Sequence, residues 1–511
     1  MGLMDVVRKK MQSFLQIDPP VAMMINIVEI FDFQGNAIKN RIWYRGEPNE
    51  LEQLYWQIPQ HVMLHENKFW CSHPTPGMEI RKIHTGLPSN IVDILAKIVS
   101  TSVNDFVFTG SEPVQTLWES IQEENKVKRL IERSIKETLY IGDGAYKVSI
   151  DSELSEYPIL EFYPGDRVEV KCKRGRIQEI IFKTFYEGKE GTLELKEHYG
   201  HGYISYELLK GDTPTDMALD ERFAGLETVT WDGDDMLAVM LKFYESDRWE
   251  NRGQSIYDKK IDAFDAFDET VSQWLDALRA GRTKTYIPDA LIPRDPATGV
   301  IMKPNAFDNR FIAVGSDVTE HGTNKITTEY GEIQYDGYIA TYTAALELCL
   351  QGIISPATLG IDTKKLDNAE AQREKEKATL YTRDAIIEAL QPALLQLVEI
   401  AIRAYYRTLK QDPPEYEVDV TFQNYANPSF ESQIETVSKA KTSGVMSIEA
   451  CVDELYGDDR DDEWKQEEIM RLKAEQGLID KEEPAVNADA LIKKLRDGNN
   501  GIQPGAGVQT N

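Results

Sequence analysis

The chain has 511 residues, of which 41% are hydrophobic and 28% charged, and it carries a net charge of -29. A length of this order predicts roughly two to four domains, or one domain with large insertions, and the absence of an 18-residue apolar run predicts no membrane span. The acidity excludes a broad basic face that grips nucleic acid, since such binding replaces phosphate counterions with Lys and Arg; it is compatible with an acidic wall that repels phosphates, and equally with solubility alone.

The first fifteen residues read as a short amphipathic helix without the apolar stretch and cleavage site of a signal peptide. Between 21 and 100, Val28-Glu-Ile-Phe-Asp-Phe, Ile42-Trp-Tyr-Arg and Phe69-Trp-Cys predict strands, and Asn49-Glu-Leu-Glu-Gln-Leu-Tyr-Trp predicts a helix. A further helix starts near Leu87, with Ser89 as its N-cap. Helical periodicity runs through 112–139 on Val114, Leu117, Ile121, Val127, Leu130, Ile131, Ile135 and Leu139. From Ile141-Gly-Asp-Gly-Ala-Tyr-Lys to about 245 the pattern is β-rich, punctuated by turns such as Tyr163-Pro-Gly-Asp and Glu187-Gly-Lys-Glu-Gly.

The pattern then changes. Residues 254–280 predict one long helix with Tyr257, Ile261, Phe264, Val271, Leu275 and Leu278 on a stripe, stopped by Gly281. Residues 282–335 read as strand and loop, and 336–353 as a return helix with Tyr338, Tyr342, Ala345, Leu346, Cys349 and Leu350 on its apolar side. A polar loop, Ser355-Pro-Ala-Thr-Leu-Gly-Ile-Asp-Thr-Lys-Lys-Leu-Asp, leads into a very long helix over about 368–410 with Pro392 deep inside it, where proline removes a hydrogen bond and kinks the rod. A strand follows near 415–422, then helices over 429–478 broken at Gly444 with Ser447 as an N-cap, and a polar tail from about 481 with the composition of a disordered segment.

Chemistry-bearing motifs are sparse. Cys71, Cys172, Cys349 and Cys451 form no Cys-x-x-Cys pair, which favours a reduced cytoplasmic setting. His61, His65, Cys71 and His73 are close in sequence but lack zinc-site spacing. Asp232-Gly-Asp-Asp and Asp458-Asp-Arg-Asp-Asp-Glu lack the alternating ligands of a calcium loop. The sequence has no Walker phosphate loop, dinucleotide glycine fingerprint or Gly-x-Ser-x-Gly elbow. No catalytic residue, metal or cofactor is therefore expected.

The order of long helix, β insertion, return helix, loop and kinked long helix resembles the portal proteins of tailed bacteriophages, especially those of long-tailed phages infecting Gram-positive bacteria. The likeness rests on Trp43-Tyr-Arg-Gly-Glu-Pro, His84-Thr-Gly-Leu-Pro, Ile141-Gly-Asp-Gly-Ala-Tyr-Lys and Gly253-Gln-Ser-Ile-Tyr, and most on Gly352-Ile-Ile-Ser-Pro-Ala-Thr-Leu-Gly-Ile-Asp followed by Asn368-Ala-Glu-Ala-Gln-Arg-Glu-Lys-Glu-Lys.

The resemblance implies an α+β portal-type fold: a β-containing wing (1–250), a stem of two helices (251–281 and 336–354), a β clip (282–335), a tunnel loop (355–367), a long kinked helix with a wing strand (368–428), a helical crown (429–480) and a disordered tail (481–511). It implies a dodecameric ring at the capsid vertex of the virion, assembled in the host cytoplasm, through which double-stranded DNA is packaged and ejected. The implied partners are the terminase large subunit, a head-tail adaptor, and the major capsid and scaffolding proteins, with no membrane. Thr358, Gly360, Thr363, Lys364, Lys365 and Asp367 would line the DNA channel; Arg282, Lys284, Arg294, Lys303, Asn305 and Arg310 would face the motor or adaptor; Pro392 would mark the helix kink. The alternatives are another phage head or neck structural protein without a channel, and a metal-dependent enzyme acting on nucleic acid.

Overall fold

The computed structural model describes residues 31–56, 68–72, 80–188, 191–211, 213–220, 222–288, 291–292, 294–300, 311–315, 326–329, 331, 334–361, 369–423, 430–456 and 462–475. Among them helices and antiparallel sheets are mixed, so the protein is α+β. The chain divides into two compact units, the first holding everything described up to residue 361 together with 373–423, the second holding 369–372 and the helices from 430 onward.

The first unit opens with α1 (Phe33–Arg45) and α2 (Pro48–Trp56). Ile42-Trp-Tyr-Arg, with β-branched and aromatic side chains, was expected as a strand; it is the last turn of α1. Tertiary packing overrides propensity here: Phe33, Ala37, Asn40 and Trp43 recur at helical spacing on the buried side. Asp32 caps the start by accepting from the Gly35 N–H at 2.6 Å, and Gly46 ends the helix in the left-handed region at φ 70°. Phe69-Trp-Cys lies in a turn, not a strand. Of the strand expected at 28–33, residues 28–30 lie outside the described residues, and Phe33 begins α1.

Next comes α3 (Leu87–Ser102), whose N-cap is Gly86 and not Ser89; Pro88 occupies the first turn, and the Ser89 hydroxyl donates to the Gly86 carbonyl at 2.9 Å. The single period expected over 112–139 is two helices, α4 (Glu112–Glu124) and α5 (Val127–Ile141), because Lys126 takes the left-handed region at φ 50° and breaks the ladder. Asn125 fills the break: its side chain donates to the Ile121 and Pro158 carbonyls and accepts from the Leu160 N–H.

Three sheets build the β-rich stretch and its surroundings. Strand β1 (Val103–Thr109) pairs with the late strand β14 (Glu417–Phe422), an antiparallel ribbon whose Phe106 and Val420 face the core. Strand β2 (Asp143–Ser149) lies between β3 (Ile159–Pro164) and β10 (Ala238–Lys242). A meander of β4 (Val168–Lys173), β5 (Arg176–Gly188), β6 (Gly191–Gly200), β7 (Tyr203–Lys210) and β8 (Thr213–Thr215) follows, with β9 (Val229–Thr230) paired to β7. Lys147 on β2 joins two of these sheets. It is buried, and its ammonium meets Glu197 of β6 at 3.0 Å and Glu161 of β3 at 2.9 Å.

Helix α6 (Ile261–Ala280) starts later than the expected 254, because 254–260 form turns held by Ser255, and it ends at Gly281 as expected. Strands β11 (Lys284–Pro288), β12 (Phe311–Val314) and β13 (Thr327–Glu329) form a small sheet with β11 in the middle, parallel to β12 and antiparallel to β13. Helix α7 (Tyr335–Leu350) returns beside α6.

Helix α8 (Ala369–Thr408) is continuous through Pro392. By length and composition it is apolar enough to cross a membrane, with an 18-residue window of mean hydropathy 1.6, but half of that window is buried inside the protein. Ile386, Leu390, Leu394, Leu397, Val398, Ala401 and Ile402 fill the central core. Pro392 and Glu388 lie on the exposed side, so the carbonyl that proline leaves without its helical donor stands at the solvent face of the rod.

The second unit contains α9 (Phe430–Thr442), α10 (Ile448–Tyr456) and α11 (Asp462–Glu475). Gly444 has φ 69°, and Ser447 caps α10 by accepting from the Ala450 N–H at 3.2 Å. Its small core comprises Val437, Ile448, Cys451 and Val452, with Tyr456 edge-on to Trp464.

Candidate functional site

Helices α6 and α7 form an antiparallel hairpin with the β11–β13 sheet between them in sequence. Near the N-terminus of α6, the Lys260 ammonium donates to the Leu348 carbonyl at 2.8 Å, satisfying one of the last-turn carbonyls of α7. Phe267 meets Tyr342 at 5.1 Å between ring centroids, and Trp274 stacks on Tyr338 with 3° between the planes. The hairpin leaves Leu275 and Leu278 of α6 and Tyr335, Ile339 and Leu348 of α7 exposed.

The base of α6 is anchored by carboxylates three residues apart, on one face of the helix. Asp262 pairs with Lys68. Asp265 accepts from the backbone N–H groups of Phe69 at 2.8 Å and Trp70 at 3.3 Å, and burial pushes its carboxyl above the usual range. Asp268 is 1% exposed and accepts four bonds: from the Trp70 indole (3.2 Å), the His84 ring at Nδ1 (2.7 Å), and the Thr85 N–H and hydroxyl (2.9 Å each). Segments 68–72 and 82–85 are thereby tied to α6. His84 also packs edge-on against Trp43, and a side chain on Gly46 would collide with its ring.

Two other motif stretches meet beside this base. Gly142, at φ 123°, approaches Gly253 so closely that a Cβ would lie 2.7 Å from the Gly253 carbonyl oxygen. The fully buried Asp143 takes two bonds from Arg252, at 2.8 and 2.7 Å, and one from the Gly253 N–H at 2.8 Å. The Arg252 guanidinium also lies 3.7 Å from the Phe33 ring centroid and donates to the Val168 and Gly165 carbonyls. The Ser255 hydroxyl donates to the Tyr140 carbonyl at 2.7 Å, and the Tyr257 hydroxyl to the Pro88 carbonyl at 2.7 Å. Trp43-Tyr-Arg-Gly, His84-Thr-Gly-Leu-Pro, Ile141-Gly-Asp-Gly and Gly253-Gln-Ser-Ile-Tyr are thus parts of one buried junction at the foot of the hairpin.

Beyond α7 the chain turns at Gly352, φ 75°. Ile353, Ile354 and Ser355 stay buried. The hydroxyls of α8 hold them there: Thr379 accepts from the Ser355 N–H at 2.9 Å and contacts the Thr358 hydroxyl at 2.8 Å, while Thr382 donates to the Ile353 carbonyl at 2.6 Å. Exposure begins at Gly360, φ 70°. Of the residues expected to line a channel, Thr358 is half-buried against α8 and Gly360 is exposed, while Thr363, Lys364, Lys365 and Asp367 lie outside the described residues.

Of the residues expected on the β insertion, Arg282 is exposed just past α6, Lys284 is half-buried in β11 opposite Glu329, and Arg294 is exposed with its guanidinium on the Gly299 carbonyl at 3.3 Å. Lys303, Asn305 and Arg310 lie outside the described residues, as do His61, His65, His73 and residues 458–461. Among the described residues no group of three or more His, Cys, Asp or Glu side chains is placed to hold a metal. The Asp232-Gly-Asp-Asp turn is tied to α8 through Asp235, which takes two 2.9 Å bonds from Arg407. Asp265 and Asp268 were not singled out from the sequence, and His84 only within His84-Thr-Gly-Leu-Pro; the signal was two aspartates three residues apart beside Phe264 and Phe267 on a helix.

No family model and no curated protein matches the chain. Among solved structures it is similar to a chain of the virion of the native gene transfer agent particle, at 15% identity and a TM-score of 0.40, covering 77% of this chain and 92% of that one. It is also similar to a chain in the neck of the native particle computed with C12 symmetry, at 15% identity and a TM-score of 0.38, and to one in the neck of the empty particle computed with C6 symmetry, at 13% and 0.41; each covers 71% of this chain and 88% of that one.

Proposed function

We propose that the protein is a structural subunit of a phage-type particle, a portal that closes into a ring at the capsid vertex and passes double-stranded DNA during packaging and ejection. The observation that carries this reading is the α6–α7 hairpin. Its apolar residues Leu275, Leu278, Tyr335, Ile339 and Leu348 stand in water on a single chain, and by helical spacing Ile339 and Leu348 are on opposite sides of α7. Neighbouring copies around a rotation axis bury apolar side chains on two sides of every subunit at once. The sequence likeness to portal proteins supplies the class of assembly.

In this reading the hairpin is the stem, the β11–β13 sheet is the clip facing motor and adaptor, the β-rich part and β14 form the wing, the helices of the second unit form the crown, and 355–367 is the tunnel loop. Lys364 and Lys365 then make a cationic girdle in an acidic bore. Repulsion between phosphates and the acidic wall keeps DNA from sticking. Mass photometry and negative-stain microscopy of the purified chain test the proposal. Twelve copies of a 58.2 kDa chain give a particle of about 0.7 MDa with a central bore; monomers and dimers alone across buffers, or a closed particle without a bore, would refute it.

A further inference from the structure

The β4–β5 hairpin turns on two residues, Arg174 at φ 55° and Gly175 at φ 74°, the backbone of a type I′ turn. Lys173, Arg174 and Arg176 are exposed, and among the described residues none of them has an acidic partner. Lys173 and Arg176 sit directly opposite each other across the strands, where like charges repel. Nothing lies within 4 Å of a Cβ built on Gly175, so the tip stands free. Three uncompensated cations in four residues are out of place in a chain of net charge -29.

Protection of an edge strand accounts for a lysine on β4. It does not account for Arg176 on the paired strand β5, nor for an arginine in a left-handed position that Asn, Asp and Gly fill more easily. The tip also lacks an exposed large apolar side chain, and protein interfaces form around an apolar centre. Contact with a phosphate backbone needs no such centre, since its affinity comes from counterion release.

We infer that the β4–β5 hairpin tip is a nucleic-acid backbone contact, with Lys173, Arg174 and Arg176 taking up to three phosphates of a duplex. It is separate from the loop at 355–367 and requires neither a ring nor a channel.

The test is fluorescence anisotropy of the full chain with a labelled random-sequence duplex of about 30 base pairs, from about 50 to 200 mM salt. The expected slope of log K against log salt includes about -2.7 from these three cations, at about -0.9 per phosphate. The triple variant Lys173→Gln/Arg174→Gln/Arg176→Gln should lose that part of the slope and bind at least about tenfold more weakly at low salt. Arg174→Asn should lose about 0.9 of slope while its melting temperature stays level or rises, because asparagine tolerates the left-handed turn. Unchanged binding by the triple variant would overturn the inference. So would preference of the wild type for polyglutamate over duplex, which would give the tip to an acidic protein, or a lowered melting temperature of Arg174→Asn, which would give Arg174 to the fold.

Discussion

Replacing Asp268 by alanine should remove the anchor that ties segments 68–72 and 82–85 to α6. The carboxylate accepts four bonds and is 1% exposed. The Thr85 hydroxyl can rotate away, but the His84 ring can move its proton only to an Nε2 that is buried without a partner. The Trp70 indole N–H and the Thr85 N–H cannot escape; each buried donor left without a partner costs about 1–3 kcal/mol. With the His84 proton, the three orphaned donors sum to about 3–9 kcal/mol before the small cavity is added, a large share of a total stability of about 5–15 kcal/mol. Asp268→Asn keeps one oxygen for Thr85 and offers its amide to His84, so the indole loses its acceptor and the ring proton moves to the partnerless Nε2, at about 1–3 kcal/mol each. Urea denaturation followed by tryptophan fluorescence measures the midpoint shift, and hydrogen exchange localises it: protection should fall first in 68–72 and 82–85. An Asp268→Ala protein within about 1 kcal/mol of the wild type, with those segments still protected, would refute the reasoning.

Gly142→Ala should destabilise by more than about 2 kcal/mol, since a Cβ at φ 123° would meet the Gly253 carbonyl; a wild-type melting curve would contradict the close approach. Burial pushes the Cys349 thiol up to about 12. The neutral thiol therefore contributes fully below the unfolded value of about 8.5, and stability is lost as pH rises from there through 12. Mass-spectrometric mapping of alkylation near pH 8.5 should find Cys172 labelled well before Cys349, and a flatter alkaline loss in Cys349→Ala. Pro392→Ala should stabilise the subunit by about 1–3 kcal/mol while leaving assembly intact, because alanine restores a bond to the exposed Glu388 carbonyl in a helix interior that proline disfavours by about 3 kcal/mol; an unchanged or lowered melting temperature would show that a bend at 392 is part of the packing.

The elements most legible in the sequence were those whose local signals agree with their burial. The stripe through Ile261 and Phe264 defined α6 up to Gly281, the β-rich run opening at Ile141-Gly-Asp-Gly announced β2, whose strand begins at Asp143, and Gly444 with Ser447 marked the start of α10. In each, capping or breaking residues fall where the hydrophobic period changes. The end of α1 was illegible because its β-prone Ile42-Trp-Tyr is helical only through what Trp43 packs against. The break between α4 and α5 was hidden because apolar periodicity continues across Lys126 while the backbone does not.

Periodicity by itself determined the order of a long helix, a β insertion, a return helix and a very long helix, since these follow from local spacing of apolar residues along the chain, while the α+β portal-type fold was what the resemblance implied. Only the tertiary structure decided that four stretches between Trp43 and Tyr257 close into one junction, because their contacts join residues about a hundred or more positions apart, such as Asp143 with Arg252 and His84 with Asp268. A buried carboxylate looks like any surface aspartate in a sequence. It becomes an anchor only when donors from distant segments converge on it, and that convergence is a property of the packed chain.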